Sequence, residues 1–243
     1  MAQNLPIAEI WVYLSGSPLF ALIITLGAYW VGAAAYEKSQ RHPLANPVLI
    51  AMLIVAGALQ LTGMSYTRYF EGAQFVHFLL GTATVALAVP IFQGYTALRD
   101  YWLALVVALA CGALTSVGVA VGVATLLGAD HALVAPLYAK SVTAPIAMGV
   151  AERIGASPTL TAVFAVVTGI LGATLGRFVL DAVGCKAWWQ RGFALGTAAH
   201  GIGTSRAFSV NVEAGTFASL AMGLHGIVGA LAIPMVARAW GAQ

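Results

Sequence analysis

Residues 138–155, with the sequence YAKSVTAPIAMGVAERIG, hold polar side chains between two apolar runs. Lys140 supplies a cation, and Ser141 and Thr143 supply hydroxyls that can hold the oxygen atoms of a ligand. Because proline lacks a backbone N–H and clashes with the preceding turn, Pro145 predicts that one helix stops near Lys140 and another starts at Pro145 or the residue before it. A broken helix of this kind at membrane depth is typical of a transporter's substrate site.

A second unusual stretch, 196–208, has the sequence GTAAHGIGTSRAF. Hydroxyls, backbone amides at a helix start and a cation together form an anion-binding set, and a carboxylate is the ligand that this set suits best. Ionisable side chains are costly inside a membrane, which favours a functional role for them. The predicted substrate-binding residues of this stretch are Thr197, His200, Thr204, Ser205 and Arg206.

An earlier stretch, 81–92, has the related sequence GTATVALAVPIF and adds Thr82 and Thr84 to the predicted site. For these two residues a structural role is an equal alternative, because Ser and Thr in membrane helices often hydrogen-bond their own preceding carbonyls. His77 and His225 also lie in apolar segments, where they are either satisfied packing residues or proton carriers.

The composition places these stretches in a membrane protein. Of the 243 residues, 60% are hydrophobic and only 8% are charged, whereas about 25% is usual in soluble domains. We therefore expect an all-α polytopic membrane protein that forms one domain over residues 1–243, without a cleavable signal peptide. The predicted apolar segments are 18–36, 47–63, 75–92, 101–128, 132–150, 158–183, 192–208 and 217–236.

Three short motifs occur twice in the same order at nearly one sequence offset. PLFA at residues 18–21 resembles PLYA at 136–139, and NPVLIA at 46–51 resembles SPTLTA at 157–162. GTA at 81–83 occurs again at 196–198. We interpret this pattern as two repeats, about 17–128 and 132–241, with the substrate between them as in many secondary transporters.

The distribution of Lys and Arg favours an inverted arrangement of these repeats. If segments 75–92 and 192–208 are broken or re-entrant, about six helices span the membrane and each repeat contributes an odd number. The side with more positive charge is then cytoplasmic. It carries Lys38, Arg41, Lys140, Arg177, Lys186, Arg191 and Arg206, against Arg68, Arg99, Arg153 and Arg238 on the other side.

This orientation predicts the result of cysteine labelling. Single cysteines replacing Lys38 and Lys186 should react with a membrane-impermeant maleimide from the same side of the membrane. Labelling from opposite sides would refute the arrangement with six spans and inverted repeats.

Several function classes are not indicated. The sequence has no HExxH, paired CxxC, Walker or GxSxG motif, so we expect neither an enzyme nor a resident metal or cofactor. The net charge of +3 is too small and dispersed to indicate nucleic-acid binding. A proton or sodium ion remains open as the coupling ion, with His200 as a possible proton carrier. Glycine pairs four residues apart leave a homo-oligomer possible.

Several collinear motifs resemble signature segments of the LrgB/CidB family. They are KSVTAPIAMGVAERIG, LTAVFAVVTGILGA, LGTAAHGIGTSRA, NPVLIAMLI and GTATVALAVPIF, and the resemblance covers about residues 18–238. The family usually has proline where this chain has Ala139 and Thr82, so two helix-breaking residues are missing here, while Pro145 and Pro90 remain.

The resemblance implies two alternative functions in a bacterial inner membrane. One is secondary transport of a small monocarboxylate or hydroxy acid of the glycolate, pyruvate and lactate class, as in related plant plastidial glycolate/glycerate translocators. The other is antiholin-like regulation of murein hydrolase export and autolysis. Because this chain has only the LrgB-like portion, the resemblance also implies a separate LrgA/CidA-like membrane partner.

Overall fold

The computed structural model describes residues 18–42, 44–86, 89, 92 and 95–239. Within these ranges all regular secondary structure is helical, which confirms the predicted all-α class. Residue contacts divide the chain into two compact units, Met1–Ala83 and Thr84–Gln243. The candidate site built below lies entirely within the second unit.

Within its described residues, the first unit contains α1 (Pro18–Lys38), α2 (Pro47–Thr62) and most of α3 (Tyr66–Ala86). Helix α2 begins at a proline because the carboxamide oxygen of Asn46 accepts hydrogen bonds from two backbone amides of the first turn. It ends at Gly63, which adopts a left-handed conformation.

The second unit contains the other helices that the structure describes, together with the broken segment predicted from the sequence. Its long helices all begin or end close to the predicted apolar boundaries. The elements are α4 (Tyr95–Leu126), α5 (His131–Val134), a 3-10 helix (Ala135–Ala139), α6 (Ala144–Arg153), α7 (Pro158–Ala182), α8 (Trp188–Val210) and α9 (Val212–Ala239).

Four described helices are long and apolar enough to cross a membrane. They contain the stretches Leu19–Lys38, Arg99–Leu126, Pro158–Ala182 and Val212–Ala239, and the 16-residue Pro47–Thr62 is a shorter apolar helix. These helices confirm a polytopic membrane protein. The inverted repeats and the count of about six spans remain predictions.

The predicted break in the segment 132–150 is confirmed. The chain passes from α5 into the 3-10 helix, then through a turn at Lys140 and Ser141, and resumes as α6 at Ala144. Pro136 lies near the start of the 3-10 helix and Pro145 in the first turn of α6. Because each proline lacks a backbone donor, each of these two elements begins close to its proline.

The broken segment lies in the core of the second unit. Tyr138 and Val142 pack in one cluster with Val121 of α4 and Ile233 of α9. Helix α9 has no side chain where the segment approaches it, since a Cβ added at Gly229 would lie 2.8 Å from a methyl group of Val142. Close packing therefore fixes the position of the turn that carries Lys140.

Helices α8 and α9 pack closely enough for backbone to meet backbone. A Cβ added at Gly192 or Gly196 would overlap the carbonyl oxygen of Ala214 or Ala218, respectively. The two glycines are four residues apart and so lie on one face of α8. Small residues at such a face are the usual means by which membrane helices approach each other.

Candidate functional site

Lys140 lies in a cluster of hydroxyl groups that we call the Lys140 centre, defined by Lys140, Ser141 and Ser116. The Lys140 Nζ atom donates to the Oγ atoms of Ser116 at 3.0 Å and Ser141 at 3.1 Å. The two serine oxygens are 2.5 Å apart. Ser141 is buried and Lys140 is partly buried, so the cation is held by neutral oxygens inside the protein.

A further hydroxyl lies three residues after Lys140. Thr143 immediately precedes α6, yet its side chain makes no capping hydrogen bond. Among the described residues, the buried side-chain oxygens without a hydrogen-bond partner are those of Thr143 and of Thr174 in α7. A buried hydroxyl without a partner is uncommon in proteins, which distinguishes Thr143 from the other hydroxyls near Lys140.

Helix α8 is interrupted at His200, as predicted for the segment 192–208. His200 has φ 40° and ψ −130°, a conformation that costs free energy for a residue with a Cβ. Its buried ring donates from Nε2 to the carbonyl oxygen of Ala165 in α7, at 2.8 Å. Gly169 lies one turn after Ala165, and a Cβ there would come within 2.8 Å of the imidazole.

A second buried imidazole, that of His225 in α9, contacts α8 near the same interruption. The Nδ1 atom of His225 is 2.9 Å from the carbonyl oxygen of Thr197. Because a carbonyl can only accept, His225 must carry a proton on Nδ1, just as His200 must carry one on Nε2. We call these two residues, with Thr197 and Ala165, the α8 break.

The Lys140 centre and the α8 break are close in space. On α4, Gly112 lies one turn before Ser116, and a Cβ added at Gly112 would lie 3.1 Å from the Thr197 methyl group. One face of α4 thus connects the two groups.

Two of the predicted hydroxyls in α8 donate hydrogen bonds to backbone carbonyls of α8 itself. Thr197 Oγ1 donates to the carbonyl of Phe193 at 2.9 Å, and Thr204 Oγ1 donates to that of His200 at 2.8 Å. Both side chains are buried beside the α8 break. In this conformation their hydroxyls stabilise backbone carbonyls, the structural role that Ser and Thr commonly have in membrane helices.

Of the remaining predicted residues, two lie on α8 and two on α3. Ser205 is exposed, and Arg206 is partly buried two residues beyond Thr204. Thr82 belongs to the first unit, is exposed, and donates from Oγ1 to the carbonyl of Leu79 at 2.8 Å. Thr84 lies in α3, but its side chain falls outside the described part of the structure, as does that of His77.

Two residues of this region were not assigned from the sequence. Ser116 is one polar residue in the apolar run of α4, and only its contact with Lys140 distinguishes it from other helix serines. His225 is a satisfied buried histidine in this conformation, the first of the two alternatives that the sequence left open.

The chemistry that these groups would suit is binding of an anion. Lys140 offers a charge, the serines offer hydroxyls, and the first amides of α6 lack acceptors within their helix. Among the described residues, no three His, Cys, Asp or Glu side chains lie together so that they could hold a metal ion.

Comparison with known proteins gives consistent relatives over most of the chain. A holin-like protein CidB of Staphylococcus epidermidis strain ATCC 35984 is 27% identical over 88% of this chain and 93% of its own length. The Bacillus subtilis protein YwbG is 32% identical over 90% and 96%, respectively. An antiholin-like protein LrgB of Bacillus mycoides is 28% identical over 90% and 95%. No solved structure matches the chain.

These relatives and the long apolar helices identify a multi-pass protein of a bacterial membrane. The model of the LrgB-like family matches residues 25–239, which include every element of the Lys140 centre and the α8 break. The resemblance found in the sequence motifs is thereby confirmed, and the chain belongs to the LrgB-like family.

Proposed function

We propose that this chain acts in holin-like or antiholin-like control of cell lysis, together with a separate LrgA/CidA-like membrane protein. The observation that carries this proposal is the naming of relatives that align with 88–90% of the chain as holin-like and antiholin-like proteins. These names support a regulator better than they support a carrier for a particular acid.

The regulatory proposal is tested in cells that lack the chain. Deleting its gene should change the rate of detergent-induced autolysis and the murein hydrolase activity in the medium. Restoring the chain should return both to normal only when the LrgA/CidA-like partner is present. Autolysis that is the same with and without the chain, in cells shown to express the partner, would contradict this proposal.

The geometry of the second unit supports a second function, transport of a small monocarboxylate or hydroxy acid. The observation that carries it is the Lys140 amine, held by two serine hydroxyls beside a broken segment. A regulator without a substrate has no evident need for a partly buried cation, because placing one inside a membrane protein costs free energy. Flux of a carboxylate could also affect autolysis indirectly, so the two functions are compatible.

The transport proposal is tested by uptake of radiolabelled pyruvate, glycolate and lactate into proteoliposomes. The chain is reconstituted alone and with an LrgA/CidA-like partner, with and without a proton gradient. Saturable uptake of at least one acid is expected, and its dependence on the gradient would identify proton coupling. If folded protein takes up none of the three acids under any of these conditions, the chain is not a carrier for this class.

A further inference from the structure

The interruption of α8 falls beside the carbonyl of Thr197, which also accepts a hydrogen bond from another helix. In a regular α-helix the carbonyl of Thr197 accepts from the amide of Gly201, four residues later. Gly201 directly follows His200, whose φ of 40° and ψ of −130° both depart from helical values next to the peptide group that carries this amide. The Thr197 carbonyl is in the buried part of α8, where a missing hydrogen bond costs free energy.

His225 supplies a donor to this carbonyl from a different helix. Its Nδ1 atom lies 2.9 Å from the Thr197 oxygen, and the ring is buried. The second imidazole belongs to His200, the non-helical residue itself. It donates to the carbonyl of Ala165, and this bond holds the ring against α7. Imidazole–carbonyl hydrogen bonds therefore flank the non-helical residue on two sides.

The backbone conformation of His200 in the interrupted helix costs free energy. A φ of 40° with a ψ of −130° is close to the first central position of a type II′ turn, which glycine strongly prefers. A histidine there persists only when surrounding contacts stabilise it. A regular helix through His200 would remove this cost and restore the bond between Thr197 and Gly201.

We propose that His225 is a positioning residue that holds α8 in its broken form, by taking the place of Gly201 as the donor to the Thr197 carbonyl. Without this donor, α8 closes into a regular helix across His200. The break is thus one of two arrangements of the same helix, and α9 selects between them through one hydrogen bond. This inference does not rest on carboxylate transport or on control of lysis.

The proposal is tested by hydrogen exchange at the Gly201 amide, measured in nanodiscs by mass spectrometry with fragmentation that resolves single residues. His225→Leu removes the donor, and the amide should exchange at least about tenfold more slowly because it gains a helical acceptor. His225→Asn is the matched control, since the Asn side-chain amide can place an N–H where Nδ1 lies. Its exchange should match the unchanged protein.

Whether exchange at the Gly201 amide becomes slower or faster shows whether His225 positions α8 or only packs against it. Loss of packing alone would speed exchange along α8, whereas closure of the break slows it at Gly201. Faster or unchanged exchange at Gly201 in His225→Leu overturns the proposal. If His225→Leu does not fold, His225→Phe retains the ring volume and carries the same test. Failure of both apolar variants to fold while His225→Asn folds would also overturn it, because the carbonyl could then not return to Gly201.

Discussion

Replacing Lys140 with alanine is expected to weaken binding of a small carboxylate at least about tenfold while leaving the protein folded. The amine is the charged group of the Lys140 centre, and its hydrogen bonds go only to neutral serine oxygens among the contacts described for it. Charge-assisted hydrogen bonds contribute about 1.5–3 kcal/mol each. We therefore expect uptake of the preferred acid in proteoliposomes to fall at least about tenfold.

The matched control for this variant is Lys186→Ala, which removes a lysine that is exposed between α7 and α8. It should take up the acid normally. Arg206→Ala tests the other predicted cation separately, and the sequence-based expectation is that it too removes uptake. Normal uptake by Lys140→Ala, at normal expression and with unchanged melting temperature, would remove the argument for an anion site.

Loss of uptake in Lys140→Ala would also bear on lysis. If the same variant restores autolysis to a deletion strain as well as the unchanged chain does, then regulation does not require the bound acid. If it fails in both assays, carboxylate flux and control of lysis depend on one site. The variant thus distinguishes two linked functions from two separate ones.

The sequence could predict those features that one residue or one local pattern determines. Prolines act on the backbone next to them, so Pro145 placed the break after Lys140 correctly. The apolar runs likewise predicted the long helices to within several residues, except that α3 begins at Tyr66, before its apolar part. At the start of α3 the backbone amide of Arg68 donates to Ser65 Oγ, an interaction that the hydrophobic pattern does not indicate.

The sequence could not predict which polar groups meet across the fold. Ser116 and Lys140 are far apart along the chain, and only helix packing places their atoms at 3.0 Å. Nor does a residue's type show whether its hydroxyl bonds to its own helix: Thr204 Oγ1 donates to the carbonyl of His200, whereas the buried Thr143 Oγ1 has no hydrogen-bond partner among the described residues. Both questions depend on helix rotation, which is set by contacts such as those between α8 and α9.

The second large effect is expected where α8 and α9 meet. Alanine at Gly192 would place a Cβ against the backbone carbonyl of Ala214, which cannot move without shifting all of α9. Overpacking a buried contact typically costs about 1–3 kcal/mol, and a clash with backbone lies at the upper end of that range, whereas alanine favours a helix by up to about 1 kcal/mol relative to glycine. The clash is larger, so Gly192→Ala should lower the melting temperature measured in detergent.

Gly122→Ala provides the matched control, because the same substitution in α4 would place its Cβ with no other atom within 4 Å. That variant should melt at the same temperature as the unchanged protein or slightly above it. Since His225 and Thr197 lie on α9 and α8, respectively, a shift between these helices should also disturb the α8 break. A Gly192→Ala protein as stable as Gly122→Ala would show that α8 and α9 do not pack backbone to backbone.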